Sequence, residues 1–195
     1  LIATLCLAVY AYSKNKTLLK IKRKHIVPLL LLGFTGIAAY NVFFFKGLRL
    51  IEANRASIII AACPVFIALF SALFLKERIT WFKILGILIS FAGVSIVITQ
   101  GHLSSMIKGG LNQGELFIFV CVLCWTVYTL IGQKILTDIS PFTAVMYASF
   151  FGMLLLMPFA LASDLHEALQ TISLINWFEI FYLGFFGTVL GFIWY

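Results

Sequence analysis

The sequence predicts an all-α integral membrane protein, a polytopic helix bundle, and three observations carry that expectation. The first is composition: 63% of the 195 residues are hydrophobic and only 11% are charged. A soluble domain is about 45–50% apolar and about 25% charged, and a small one still needs a polar surface. The second is length: the apolar residues fall into runs near the roughly 20 residues that cross about 30 Å of hydrocarbon. The third is the placement of charge, which sits in short tracts between those runs rather than in a domain of its own.

Seven apolar segments follow in order: 1–12, then approximately 26–45, 56–75, 81–99, 115–136, 141–162 and 175–195. The middle five are long enough to span. A β-barrel would show short alternating strands instead. The first segment is too short to span and the last runs to GFIWY without a polar stop. Both features lead to the expectation of a bundle truncated at both ends, since a charged terminus inside lipid is costly. No charged n-region with a small-residue cleavage site marks a signal peptide.

The net charge of +7 comes from 14 Lys and Arg against 7 Asp and Glu. Lys14, Lys16, Lys20, Lys22, Arg23, Lys24, Lys76, Arg78, Lys83 and Lys134 fall on one side of the alternating spans. Lys46, Arg49, Arg55 and Lys108 fall on the other. Ten against four orients the first set toward the cytoplasm, with His102, His166, Asp164 and Glu167 as solvated residues of outer loops. Distributed basic charge suits anionic lipid headgroups, so the partners expected are the bilayer and a small-molecule substrate, with no nucleic acid; oligomeric state is left open. Cys121 and Cys124 form a CxxC inside FVCVLCWTVY, where small, soft packing residues are the expected role. No cofactor and no metal site is expected.

LGFTG at Leu32–Gly36 and LGFFG at Leu183–Gly187 are offset by 151 residues. Five crossings lie between them, an odd number, so the two copies run in opposite directions. Two related units in inverted orientation are a common plan of secondary transporters.

Residues 37–99, IAAYNVFFFKGLRLIEANRASIIIAACPVFIALFSALFLKERITWFKILGILISFAGVSIVIT, resemble the EamA-type repeat of the drug/metabolite transporter superfamily. The matching features are the Ala- and Ser-rich helix with Pro64, the exit LKERIT with Glu77, and the following helix with Gly86 and Gly93. A second repeat opens at GELFIFVCVLCWTVYTLIGQK, where Trp125 and Tyr128 match the aromatic pair usual there. The resemblance implies two inverted five-helix repeats. Residues 1–99 would hold the end of the first and 114–195 the start of the second, with 100–113 an outer connecting loop. So mapped, the chain runs from the end of helix two through most of helix eight. The second Pro and Glu motifs would belong to helix nine.

The expected site rests on helical stripes, since spacings of three and four share a face. Gly33, Gly36, Tyr40 and Phe44 form one, with Asn41 beside it. Cys121, Trp125, Tyr128 and Gly132 form another, with Thr129 beside it. Gly184, Gly187, Gly191 and Trp194 form the inverted counterpart. Tyr40, Asn41, Phe44, Trp125, Tyr128, Thr129 and Trp194 are the expected substrate contacts; helix packing and interfacial aromatic belts are the competing roles. Pro64 has no N–H and leaves the Ile60 carbonyl without its donor, which makes it the expected kink or hinge. Ser57, Ala61, Pro64, Ala68 and Ala72 would line the small face of that helix. Glu115, Glu179, Lys46 and Lys83 lie near segment ends, where snorkelling to the interface accounts for them. Glu77 reads as a structural residue of its turn.

Function follows as a secondary transporter, an efflux permease, moving small organic solutes such as amino acids, metabolites or drugs by alternating access. The alternatives are a membrane-embedded enzyme or assembly factor, and a channel. No Walker loop, metal-ligand cluster or nucleophile–base pair supports an enzyme.

Overall fold

A computed structural model describes residues 4–6, 21–75, 80–98, 112–162, 172–182, 184 and 186. These residues are helices and short turns, with no strand among them. Four helices are long and apolar enough to cross a membrane: Arg23–Leu48, Ala53–Leu75, Gln113–Ile135 and Pro141–Leu161. The segment 81–99, expected as a full span, forms the 18-residue helix Trp81–Ile98, about 27 Å at 1.5 Å per residue. The chain divides into two compact units, residues 1–38 with 131–195, and residues 39–130.

In the first unit, α1 (Arg23–Gly33) leads into a π-helical turn, Phe34–Ala39. Thr35 donates its hydroxyl to the Leu31 carbonyl at 2.8 Å, a bond that loosens the regular ladder. A π turn bonds each residue to the fifth along rather than the fourth. The expected stripe Gly33–Gly36–Tyr40–Phe44 therefore does not continue as one α-helical face.

α1 packs against a later helix, Pro141–Ala162. A Cβ on Gly33 would lie 2.7 Å from both the Ala148 oxygen and the Gly152 nitrogen. One on Gly152 would lie 2.6 Å from Ile37 Cβ. Two glycines thus let the backbones meet, the role small residues play between membrane helices. Ser140 starts Pro141–Ala162: its Oγ accepts from the Thr143 N–H at 3.1 Å, and Pro141 takes the first helical position, where no N–H is missed. The last described helix of this unit is Leu174–Tyr182.

In the second unit, α2 (Tyr40–Leu48) turns through Arg49–Glu52 into α3 (Ala53–Ile60). α4 (Cys63–Leu75) follows after a break at Ala61–Ala62. The break falls just before Pro64, which stands second in α4 and has no N–H to offer the Ile60 carbonyl. Along the small face expected at Ser57–Ala72, Ser57 is exposed and Ala61, Ala68 and Ala72 are half-buried. Pro64 is exposed, and the buried residues are Ala56, Ile58, Cys63 and Ser71. α5 (Trp81–Ile98) touches α3. Gly86 and Gly93, the glycines of the family motif, have room for a side chain: among the described residues nothing lies within 4 Å of where a Cβ would stand.

Three further helices follow among the described residues: α6 (Gln113–Ile135), α7 (Pro141–Ala162) and α8 (Leu174–Tyr182). α6 begins in the second unit and ends in the first. It starts on a reciprocal cap. Asn112 Oδ1 accepts from the Glu115 N–H at 3.0 Å, and Glu115 Oε2 accepts from the Asn112 N–H at 3.0 Å. The pattern Asn-x-x-Glu before an apolar run is the capping-box arrangement, with Asn in place of Ser or Thr.

Candidate functional site

The expected contacts on α2 and α6 lie in the second unit and come together there. α6 presents Glu115, Ile118, Cys121, Val122 and Thr126 as its buried face, a spacing of three and four that makes one stripe. Gly47 receives Ile118, whose Cδ1 would be 2.5 Å from a Cβ at that position. Cys121 Sγ lies 3.5 Å from the Tyr40 carbonyl and 3.3 Å from that of Phe117. The thiol ties α6 to α2 beside the cluster, as a packing residue does, and both CxxC cysteines are free.

Above this contact the rings form a connected wall. Tyr40 stacks on Phe44, centroids 5.7 Å apart and planes 15° apart. Tyr40 meets Trp125 at 5.7 Å, tilted by 57°. Trp125 stacks on Tyr128 at 5.2 Å and 25°. Both stacked pairs follow from i, i+4 and i, i+3 spacing on a helix, and aromatic centroids 4.5–7 Å apart attract beyond their buried area. Trp125 remains 40% exposed, so the wall has an open side. Asn41 is half-buried next to it.

Ten residues separate Tyr40 from Leu50, and eleven separate Trp125 from Gly114, where Leu50 and Ile51 meet Gly114. Trp125 stands near the middle of α6, about ten residues or roughly 15 Å from its Ile135 end. Tyr40 is past the midpoint of its own span, which runs from Arg23 to Leu48, eight residues or roughly 12 Å of helix from its end.

Other expected residues fare differently. Thr129 donates its hydroxyl to the Trp125 carbonyl at 2.9 Å, leaving it an acceptor only. Gly33 serves the α1–α7 contact. Gly36 lies in the π turn, and Gly184 is π-helical as well. Trp194, Glu77, Gly187 and Gly191 lie outside the described residues, as do His102, Asp164, His166 and Glu167. Among the described residues no three His, Cys, Asp or Glu gather as metal ligands.

Sequence reasoning missed one feature of this unit. Glu115 does not snorkel: its side chain is 6% exposed and pairs with Arg55, in the first turn of α3. Burial at the cap and a cation within reach outweigh solvation here. The Asn112–Glu115 spacing was the available signal for the cap; nothing in the sequence pointed to Arg55.

The family model described as EamA-like transporter family matches residues 1–99 and 112–195. The chain belongs to the EamA-like transporter family. This EamA-like chain is 31% identical over 173 residues to an uncharacterized transporter of Bacillus subtilis, YyaM, covering 89% of the chain and 57% of the relative. It is 32% identical over 177 residues to an uncharacterized transporter of Archaeoglobus fulgidus, covering 90% and 60%. It is 27% identical over 173 residues to a protein of Streptantibioticus cattleyicolor described as a probable terminal-alkyne amino-acid exporter, covering 88% and 56%. The chain spans less than two thirds of the length of these relatives. No solved structure matches it significantly. The EamA-like chain is accordingly an integral, multi-pass membrane protein of a transporter family, and nothing in these relationships indicates an enzyme.

Proposed function

We propose that the protein exports a small organic solute, an amino acid or a related metabolite or drug, by alternating access across a bacterial cell membrane. The observation that carries this reading is the wall Tyr40–Phe44–Trp125–Tyr128 with Asn41 beside it, in a transporter of this family. Headgroup anchoring does not account for Trp125, which stands near the middle of its span. Ring faces suit the apolar part of a solute, and the carboxylate or amino group of a zwitterionic one can bond to the Asn41 amide. The exporter relative with an amino-acid substrate in its description supports the class.

In this reading the chain contributes to two inverted five-helix repeats, with 1–99 in the first and 114–195 in the second. The family matches at 1–99 and 112–195 support that division. So does the π-helical geometry at both glycine motifs, Phe34–Ala39 in one and Gly184 and Phe186 in the other. Pro64, just past the Ala61–Ala62 break, is the proposed hinge.

Two measurements test this. A lost hydrogen bond to a neutral solute is worth about 0.5–1.5 kcal/mol, so Asn41→Ala in the full-length protein should weaken apparent affinity by about 2–13-fold in proteoliposome uptake, with folded yield nearly unchanged. Unchanged kinetics with reduced folded protein would make Asn41 helix-packing glue and remove it from the site. For orientation, Asn15→Cys in a protein without other thiols should resist a membrane-impermeant thiol reagent applied to intact cells, because its loop is cytoplasmic. Ready labelling there reverses the orientation.

A further inference from the structure

α3 has a joint on each side. The turn Arg49–Glu52 precedes it, and Glu52 at its start makes no side-chain cap. After Ile60 the helical ladder tightens, with the Ala62 N–H donating to the Ile59 carbonyl at 3.1 Å. It restarts from the Ala62 carbonyl, which accepts from the Val65 and Phe66 N–H groups at 3.0 and 3.3 Å. Pro64 brings no N–H to this joint. The 8 residues between the joints make a short rod, about 12 Å long.

The elements around α3 are fixed more firmly than α3 itself. α2 and the turn after it press on the start of α6. A Cβ on Gly47 would lie 3.1 Å from the Gly114 oxygen, and one on Gly114 would lie 2.8 Å from Leu50 Cβ. Close-packed backbones of this kind do not slide without collision. Past the second joint, α4 meets α6 through Phe66 and Phe119, edge to face at 5.3 Å. α3 has no glycine with which to approach a neighbour so closely. It packs against α2 and α5, and no described side chain of α5 is buried. It reaches α6 through the long side chain of Arg55, which pairs with Glu115.

We infer that α3 is a gate at this end of the second unit and that Arg55–Glu115 is its latch. When the pair parts, α3 swings away from the start of α6 about Ala61–Ala62, while α4 stays in place. The inference rests on the alternating-access reading, which requires an end of the bundle to open. Hinge motions of this sort turn on a few residues at the ends of elements. The pair also parts without stranding a charge. The Arg55 side chain is partly exposed, so water is at hand for its guanidinium. Glu115 keeps the Asn112 N–H on Oε2 at 3.0 Å and the positive end of the α6 dipole. The ion pair favours the closed position, and no buried orphan bars the open one.

Two pairs of spin labels test this in the full-length protein, in liposomes, with its other thiols replaced. Asn54→Cys with Gln113→Cys reads α3 against α6, and Leu69→Cys with Gln113→Cys reads α4 against α6; all three positions are exposed. Arg55→Gln should shift the first distribution toward longer distances by several ångströms. Glu115→Gln, which keeps an acceptor for the Asn112 N–H, should give the same shift. Arg55→Lys keeps the charge and should stay near the parent. The second distribution should be the same in every variant. A first distribution unchanged in both Arg55→Gln and Glu115→Gln overturns the latch. Equal lengthening in both label pairs overturns the gate, because the whole unit has then loosened. No solute is added, and the uptake result for Asn41→Ala stands apart, so this inference and the transport reading fail separately.

Discussion

Gly33→Ala should sharply lower the stability of the protein even though it adds one methyl group. The new Cβ would meet the Ala148 oxygen and the Gly152 nitrogen, each at 2.7 Å. Both are backbone atoms, so no side chain can swing aside. α1 must separate from α7 or the π turn must reorganise. Overpacking typically costs about 1–3 kcal/mol, and backbone opposition puts Gly33→Ala at the upper end. Gly152→Ala meets Ile37 Cβ at 2.6 Å and Cγ2 at 2.7 Å and should be similar. Gly132→Ala is the control. Among the described residues nothing lies within 4 Å of its Cβ, and alanine favours a helix interior by roughly 0.5–1 kcal/mol. Thermal unfolding of the detergent-solubilised full-length protein should separate the two classes clearly. Equal midpoints for Gly33→Ala and Gly132→Ala would mean that α1 and α7 do not meet at these glycines.

Glu115→Ala should be comparably damaging, for an electrostatic reason. The carboxylate pairs with Arg55, accepts from the Asn112 N–H, and sits at the positive end of α6. Removing one partner of a buried pair costs about 3–5 kcal/mol because the other charge is left uncompensated. The Arg55 side chain is 32% exposed, and water relieves part of that cost, so the lower end is expected. Arg55→Met combined with Glu115→Leu leaves no orphaned charge and should recover much of the loss. A double-mutant cycle on unfolding midpoints reads the coupling. Additive effects of the two single substitutions would show that the pair contributes nothing as a pair.

The helices, their approximate ends and the family were legible in the amino-acid order. Long apolar runs with charged separators admit few solutions in lipid, because every backbone polar group must be satisfied within the segment. The cap of α6 was legible too, in Asn112 and Glu115 taken together, whereas Glu115 taken alone suggested only an interfacial residue. The aromatic spacings on α2 and α6 pointed to Tyr40, Phe44, Trp125 and Tyr128, and the fold brings those four rings into one cluster. Which face of each helix meets a neighbour was not legible. A membrane helix is apolar on all sides, so the amphipathic signal that marks the inner face of a soluble helix is missing.

Gly33 and Gly86 make the point. Both are glycines in apolar helices, and by residue type alone either permits a close crossing. Only tertiary structure decides that Gly33 is pressed against the backbone of α7 while Gly86 faces open space among the described residues. The π turn after Gly33 acts in the same way: it shifts the helical phase, and phase determines which residues share a face. The Arg55–Glu115 and His25–Asp138 pairs join residues 60 and 113 positions apart. Such partners are chosen by packing geometry, since charge alone would let Arg55 or His25 pair with any acid within reach. The sequence by itself determined that this protein lives in a bilayer and to which family it belongs. The packing of its helices decided which small residues touch, which charges are buried, and where the rings assemble.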